Sequence, residues 1–162
     1  MYKRQIDGVP VWKELTPARE RAGGNALPPE GGGYTDEGAG SCMIVVATDA
    51  PLDTRTLQRL AARAVFALAR TGSTYSNGSG DFAIAFSTHP SLRITAATAP
   101  QARTLLPTDA VSGVFEAVLD ATEEAVDNSL LKATDVAANR QTVRAIPIDA
   151  LTALLKKYGR QP

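Results

Sequence analysis

The sequence predicts an α+β domain in which long amphipathic helices pack on a layer of short strands. Two apolar segments, 42–48 and 81–88, have the length and composition of strands. Two longer segments, 54–70 and 109–126, carry apolar residues at helical spacing. With 162 residues, of which 44% are hydrophobic, the chain is long enough to bury a core. This combination indicates helices layered against strands.

The strand segments are recognised by their side-chain patterns. Residues 42–48 form a continuous apolar run rich in β-branched residues, which predicts a buried strand. In the second segment, Phe82, Ile84 and Phe86 alternate with small residues, which is typical of a strand. A further short strand is expected at 93–95.

Helical spacing predicts three long helices and one short helical stretch. The first two cover 54–70 and 109–126, and the short stretch follows at 128–133. The last helix is expected to start near Pro147 and to end at Gly159. The apolar stripes of the three long helices comprise Leu57, Leu60, Ala61, Ala64, Val65 and Leu68; Val111, Val114, Phe115, Val118 and Leu119; and Ile148, Leu151, Leu154, Leu155 and Tyr158.

The front of the chain has little apolar periodicity. Residues 4–12 contain a short extended piece with a turn at Asp7-Gly8. Residues 16–40 hold three prolines and seven glycines, which indicates a long linker or a processed loop. We expect 14–38 to be irregular or mobile, because little apolar surface is available there to offset the entropy of ordering.

Composition argues against several classes of function. The net charge is 0 and no basic stripe is present, so nucleic acid is not expected as the main partner. No apolar run reaches the length of a membrane span and the N-terminus does not resemble a signal peptide. We expect no membrane partner and a cytoplasmic location, the periplasm being the alternative if the natural N-terminus lies further upstream.

Single cysteine and histidine residues limit the available chemistry. Cys42 lies in an apolar strand and is interpreted as a small core residue. His89 precedes Pro90, is expected at a strand end, and has no clustered ligand beside it, which argues against a zinc site. We expect neither a metal nor an organic cofactor. If the protein is a hydrolase, an amine is favoured over an imidazole as its base.

The dipeptide Gly40-Ser41 is the first candidate site. Ser41 opens an apolar strand directly after a glycine-rich loop, residues 31–40. Such a serine can attack the carbonyl before it, which glycine leaves sterically open, and cleavage frees an α-amine that can act as the base. Because glycine before serine is common, a flexible loop that ends in a strand is the alternative interpretation.

A second polar motif, Asn77-Gly78-Ser79-Gly80-Asp81, stands at the mouth of the strand at 81–88. If the two strands are neighbours, Ser41, Ser79 and Asp81 converge. A second hydroxyl can then relay a proton or hold the amine, and a carboxylate can stabilise the ammonium. A simple turn is the alternative interpretation of this motif.

Three ordered blocks carry a family resemblance. They read GSCMIVVATDAPL (40–52), RLAARAVFALARTGS (59–73) and NGSGDFAIAFST (77–88). Together they resemble the β-subunit of the DmpA-like family, the L-aminopeptidase/D-esterases and β-peptidyl aminopeptidases. Segments 6–12 and 128–159 resemble the same family. The resemblance implies an αββα sandwich like that of the N-terminal nucleophile hydrolases, with different strand connectivity and here in an incomplete version.

The resemblance also implies the roles of the site residues. The family's precursor cuts itself at a Gly-Ser bond, here Gly40-Ser41, and the new N-terminal serine, Ser41, is the nucleophile. Ser79 and Asp81 match the family's assisting serine and acidic residue. In β-peptidyl aminopeptidases the acid is often glutamate, which is one methylene longer than Asp81.

The front of the chain departs from the family pattern. Residues 1–40 correspond to the end of the α-subunit plus the linker, and 41–162 to the catalytic β-subunit. In the family a longer α-part ends in a strand whose asparagine supplies the oxyanion hole, and that asparagine has no counterpart at a matching position here. We therefore expect a fragment, a degenerate gene product or half of a split pair, with an apolar face that the α-part covers in the family.

The function implied by the resemblance is that of a self-processing serine aminopeptidase or amidase. It would remove small N-terminal residues (L- or D-Ala, Gly or a β-amino acid) from peptides, amides or esters. The expected partners are such a small substrate and either a homo-oligomer or an α-subunit. The alternative is a truncated, inactive α+β domain that acts as an interaction module or persists as a remnant.

Overall fold

Four helices and four strands form the regular structure in the part of the chain that a computed structural model describes, residues 5–15, 41–75, 79–96, 98–138 and 141–160. In chain order they are α1 (Val11–Leu15), β1 (Met43–Thr48), α2 (Thr54–Ala67), β2 (Phe82–Ser87), α3 (Ser112–Leu131), β3 (Val136–Ala138), β4 (Gln141–Val143) and α4 (Ile148–Lys157). The predicted linker at 16–40, and with it the predicted division after Gly40, lies outside the described residues. Of the segment 14–38, expected to be irregular, only Glu14 and Leu15 are described, and there the expectation is wrong because both lie in α1. None of the described helices is long and apolar enough to cross a membrane.

Strands β1 and β2 are parallel neighbours, with Met43 opposite Phe82. A parallel pair requires a crossover connection, and α2 lies within it. Both predicted strands are thus confirmed, but the expectation that 42–48 is buried is wrong for one of its faces. Met43 is 78% exposed and Val45 68% exposed, because the described helices cover only the opposite face of the sheet.

The uncovered side of this sheet is apolar, and we call it the open sheet face. It consists of Met43, Val45, Phe82, Ile84 and Phe86, all exposed. The expectation of an exposed apolar face is therefore confirmed. A contiguous patch of this kind marks a surface that other protein normally covers.

The main core lies between the covered face of the sheet and the helices α2 and α3. Its buried members are Leu52, Leu60, Ala64, Val111, Phe115 and Val118, with Ile44, Val46, Ala83 and Ala85 packed against them from the strands. Helix α2 begins after Asp53, whose carboxylate accepts a hydrogen bond from the Thr56 N–H at 2.7 Å. At its other end, the Arg70 guanidinium lies 2.6 Å from the Asp120 carboxylate of α3.

A second, smaller core joins the two ends of the chain. Ile6 and Val9 form a bridge around a turn at Asp7 and Gly8, which have φ angles of 47° and 72°. This turn confirms the sequence prediction, whereas the short helix α1 that follows was not predicted. The buried residues of this core are Ile6, Val9, Val11, Leu151, Leu154 and Leu155. Residues 5–15 are thus held against the C-terminal helix.

The remaining helices and strands confirm or correct the predictions in detail. Helix α2 ends three residues earlier than predicted, and α3 merges the predicted segments 109–126 and 128–133 into one helix. Residues 93–95 are not a strand, because the chain there leaves a 3₁₀ turn at Pro90–Leu92. The antiparallel pair of β3 and β4 was not predicted. Helix α4 and its end at Gly159, with φ 71°, match the prediction.

Truncating a core residue tests this packing. Leu60 is 1% exposed, so Leu60→Ala is expected to lower the free energy of unfolding by about 2–5 kcal/mol. Ile84→Ala is the matched control, because Ile84 lies on the open sheet face at 62% exposure. Urea denaturation followed by circular dichroism measures both. Equal losses for the two variants would contradict the assignment of the core.

Candidate active site

The candidate residues lie where β1 and β2 begin. Because the strands are parallel, their N-terminal ends meet at the same edge of the sheet. Ser41 lies two residues before β1, and Asp81 lies one residue before β2. The Phe82 N–H donates to the Cys42 carbonyl at 2.9 Å, which carries the strand pairing up to this edge. The structure therefore brings the Gly40-Ser41 motif and the Ser79-Asp81 motif to one place.

Two hydrogen bonds tie the motifs together. The Gly80 N–H donates to the Ser41 hydroxyl oxygen at 3.1 Å. The Cys42 N–H donates to the Oδ1 of Asp81 at 2.9 Å. Gly80 thus donates to the side chain of Ser41, and Cys42, the residue after Ser41, donates to the side chain of Asp81. The two bonds fix the candidate nucleophile relative to the second motif.

Ser79 and Asp81 form a looser pair. The Ser79 Oγ lies 3.4 Å from both carboxylate oxygens of Asp81, which is long for a hydrogen bond from a hydroxyl. Both residues are half-buried, whereas Ser41 is exposed. The hydroxyl of Ser41 is therefore the most accessible of the three to a substrate from solvent.

Tyr75 anchors the chain before the second motif, and the sequence did not reveal this role. Its phenolic O–H donates to the Val65 and Phe66 carbonyls, at 2.6 and 3.2 Å, near the end of α2. Its φ is 47°, a conformation that is uncommon outside glycine and is often found at functional sites. Burial raises the pKa of the Tyr75 phenol, and the charge of Asp81 raises it further. Neither a positive φ at tyrosine nor a hydrogen bond from its hydroxyl to backbone carbonyls leaves a pattern in the sequence, so only the coordinates show the role of Tyr75.

His89 lies at the opposite end of the sheet, as expected for a residue at a strand end. It follows β2 and caps the 3₁₀ turn, with its Nδ1 2.8 Å from the Ser91 hydroxyl. A strand of six residues separates it from Asp81 by roughly 20 Å. An imidazole base acting on Ser41 is incompatible with this position.

An apolar groove of about 380 Å³ runs beside the candidate site. Residues 42–47 of the chain line one side of it, and Val118, Ala121, Thr122 and Ala125 of α3 line the other. It starts at Cys42, which is half-buried here rather than a core residue. The groove therefore follows β1 away from Ser41.

Comparison with known proteins places the chain in a family. A sequence profile of peptidase family S58 matches residues 2–144, and the chain belongs to that family. It is 37% identical over 166 residues to the β-peptidyl aminopeptidase BapA of Sphingosinicella microcystinivorans, an alignment that covers 96% of this chain and 40% of that protein. The resemblance to DmpA-like enzymes inferred from the sequence is thereby confirmed.

Solved structures give the same result for the fold. The PH0078 protein of Pyrococcus horikoshii OT3 superposes with a TM-score of 0.68 at 42% identity, covering 72% of this chain and 33% of that one. The L-aminopeptidase D-Ala-esterase/amidase of Ochrobactrum anthropi gives 0.67 at 37% identity, covering 74% and 34%. The latter is a prototype of the serine aminopeptidases and a variant of the N-terminal nucleophile hydrolase fold. The α+β class and the likeness to that fold are confirmed, and this chain spans 40% of the length of its BapA relative.

Proposed function

We propose that this chain is the nucleophile-bearing part of a self-processing serine aminopeptidase. The observation that carries the proposal is the hydrogen bond between the Gly80 N–H and the Ser41 hydroxyl, at the edge where two parallel strands begin. It fixes a serine hydroxyl, exposed to solvent, at the start of a strand. Membership of peptidase family S58 supports peptide-bond hydrolysis as the reaction.

The first reaction frees the nucleophile. The Ser41 Oγ attacks the carbonyl carbon of Gly40, the bond from that carbon to the Ser41 nitrogen breaks, and the nitrogen takes up the hydroxyl proton. The product is an ester between Gly40 and the Ser41 Oγ. Water hydrolyses this ester, which leaves a carboxylate on Gly40 and a free α-amine on Ser41.

The second reaction is turnover. The α-amine of Ser41 accepts the hydroxyl proton as the Oγ attacks the substrate carbonyl, and the same proton passes to the departing amine. The acyl-ester on Ser41 is then hydrolysed by water, which returns the proton to the Oγ and releases the acid. An α-amine is suited to this exchange because its ordinary pKa is about 7.7–8.0.

The neighbouring residues support this chemistry in separate ways. Asp81 accepts the Cys42 N–H, so it holds the backbone next to the nucleophile, and its negative charge favours the ammonium form of the Ser41 α-amine. Ser79 faces the carboxylate of Asp81 and supplies a hydroxyl that can relay the proton. Although aspartate is one methylene shorter than glutamate, the carboxylate of Asp81 still reaches the Cys42 N–H.

The substrates we propose follow from the names of the relatives. Those relatives are a β-peptidyl aminopeptidase and an L-aminopeptidase D-Ala-esterase/amidase. Small N-terminal residues, namely L- or D-Ala, Gly or a β-amino acid, are therefore the acyl groups to test first. We further propose that an α-part packs on the open sheet face, since that face is apolar and uncovered by the described residues.

An assay with alanyl anilides tests this function. Chain purified together with the α-part of the BapA relative should release aniline from alanyl anilide and should not act on the N-acetylated substrate. An inert interaction domain would release aniline from neither. The absence of any release, with the chain folded by circular dichroism, would refute the proposed activity.

Substituting the acid should move the pH profile. Asp81→Asn keeps an oxygen that can accept the Cys42 N–H but removes the negative charge. Loss of that charge lowers the pKa of the Ser41 α-amine, so the acid limb of kcat/KM should shift to lower pH. Asp81→Ala is the comparison, since it removes the backbone contact as well and should also lower kcat. An unchanged acid limb in Asp81→Asn would contradict the electrostatic role of Asp81.

A further inference from the structure

We propose that the backbone N–H of Gly80 is a catalytic donor to the nucleophile, holding the Ser41 Oγ and stabilising negative charge on it. The observation is the 3.1 Å hydrogen bond between the two groups. This inference deepens the proposed function and rests on it. It places the backbone of Gly80 in contact with the reacting oxygen, whereas the sequence shows Gly80 only as the residue between Ser79 and Asp81.

The bond is compatible with the chemistry of a serine hydroxyl. A hydroxyl oxygen has two lone pairs and one hydrogen. The Gly80 N–H takes one lone pair, so the hydrogen of Ser41 remains available to the base and the other lone pair to the attacked carbon. The donor therefore selects one orientation of the hydroxyl without blocking its reaction.

The donor matters most when the Oγ carries negative charge. Charge builds on this oxygen as it loses its proton and again as it leaves the acyl-ester during hydrolysis. A backbone N–H already in place stabilises that charge without reorganising, which is the principle of oxyanion-type catalysis. Gly80 thus acts on the nucleophile oxygen, a different atom from the substrate carbonyl oxygen.

The amide of Gly80 is held in place from its C-terminal side. Asp81 is fixed by the Cys42 N–H at 2.9 Å, and the Phe82 N–H is fixed by the Cys42 carbonyl at 2.9 Å. These two bonds clamp the segment after Gly80 to the segment after Ser41. A donor on a strand edge that is fixed in this way is preorganised rather than recruited.

The surroundings of Gly80 admit a small side chain but not a large one. A Cβ built on it would lie 3.2 Å from the Cε2 of Phe82 and 3.7 Å from the Ser41 Oγ. The Phe82 ring is 62% exposed and can give way by a few tenths of an ångström, so alanine is tolerable. A larger side chain would project toward the nucleophile itself.

The matched pair Gly80→Pro and Gly80→Ala isolates the donor. Both add a Cβ, but only proline closes a ring onto the nitrogen, which replaces the N–H by a Cδ next to the Ser41 Oγ. Single-turnover hydrolysis of alanyl anilide, with the α-part supplied, should fall by about a hundredfold or more in Gly80→Pro, as for loss of one preorganised donor. In Gly80→Ala it should fall by less than about tenfold. Equal rates in the two variants, beside an active wild type, would overturn the inference and leave the proposed function intact.

A second measurement does not depend on activity or on the folding of the proline variant. In ¹H–¹⁵N spectra of the chain, Ser41→Ala should move the Gly80 amide proton upfield and speed its exchange by about tenfold or more, because its acceptor is lost. Gly113, which has open space around it, is the internal control and should not change. An unchanged Gly80 amide would refute the contact. An inert wild type with the Gly80 shift present would refute the proposed function, and with it the catalytic role.

Discussion

Ser41→Ala is expected to abolish both cleavage between residues 40 and 41 and hydrolysis of alanyl anilide. Alanine keeps the backbone of the strand edge but has no oxygen to attack Gly40 or a substrate. Loss of the nucleophile of a serine hydrolase costs about 10⁶-fold in kcat. Intact mass measures the first effect and aniline release the second, with the α-part supplied.

Ser41→Thr is the matched control for this variant. Threonine retains a hydroxyl at the same carbon, and threonine paired with its own α-amine is a competent nucleophile. Partial cleavage and activity should therefore return. An alanine variant that still splits at this bond, or still releases aniline, would mean that the nucleophile is a different residue.

Ser79→Ala is expected to weaken both reactions without abolishing them, on the order of a hundredfold for a proton-transfer assistant. Its Oγ lies 3.4 Å from each oxygen of Asp81, so its proposed role is to relay a proton beside the carboxylate and not to attack the substrate carbonyl. The physical reason for a partial loss is that water can carry a proton along the same path.

Ser79→Thr provides the comparison, since it retains the hydroxyl. The kcat and KM of alanyl anilide hydrolysis, together with the melting temperature, separate a proton relay from a structural role. A relay lowers kcat with little change in KM, whereas a lost packing contact also lowers the melting temperature. A loss as complete as that of Ser41→Ala would show that Ser79 is itself the nucleophile or the base.

The positions of the candidate residues could be predicted because they depend on strand pattern. Segments 42–48 and 81–88 carry strong strand signals, and each motif directly precedes one of them. Once the two strands pair in parallel, Ser41 and Asp81 must meet at one edge. The sequence could not show whether the strands are neighbours, because pairing depends on how α2 returns the chain to the sheet.

Backbone contacts were the part that the sequence could not reveal. The donors to the Ser41 Oγ and to the Asp81 carboxylate are main-chain N–H groups of Gly80 and Cys42, which every residue except proline possesses. The same holds for the φ of Tyr75. Strands β3 and β4 escaped prediction because three-residue strands give too short a pattern.

The prediction that β1 is buried on both faces was wrong for a different physical reason. A continuous apolar run predicts a strand covered on both faces. In the described residues only α2 and α3 cover it, so Met43 and Val45 remain exposed. The composition of the strand thus fits a sheet with cover on both sides.

The central claim, that Ser41 attacks the bond before it, is tested most directly by intact mass after neutral hydroxylamine. Hydroxylamine cleaves esters, so it traps the Gly40 ester even where water is slow. With the α-part supplied as in the assays above, the wild-type chain is predicted to split between residues 40 and 41, with serine as the new N-terminal residue, while Ser41→Ala remains whole at this bond. Hydroxylamine attacks Asn77-Gly78 chiefly at alkaline pH, and any such cleavage would be the same in both proteins. A wild-type chain that stays joined across residues 40 and 41 throughout would contradict the account.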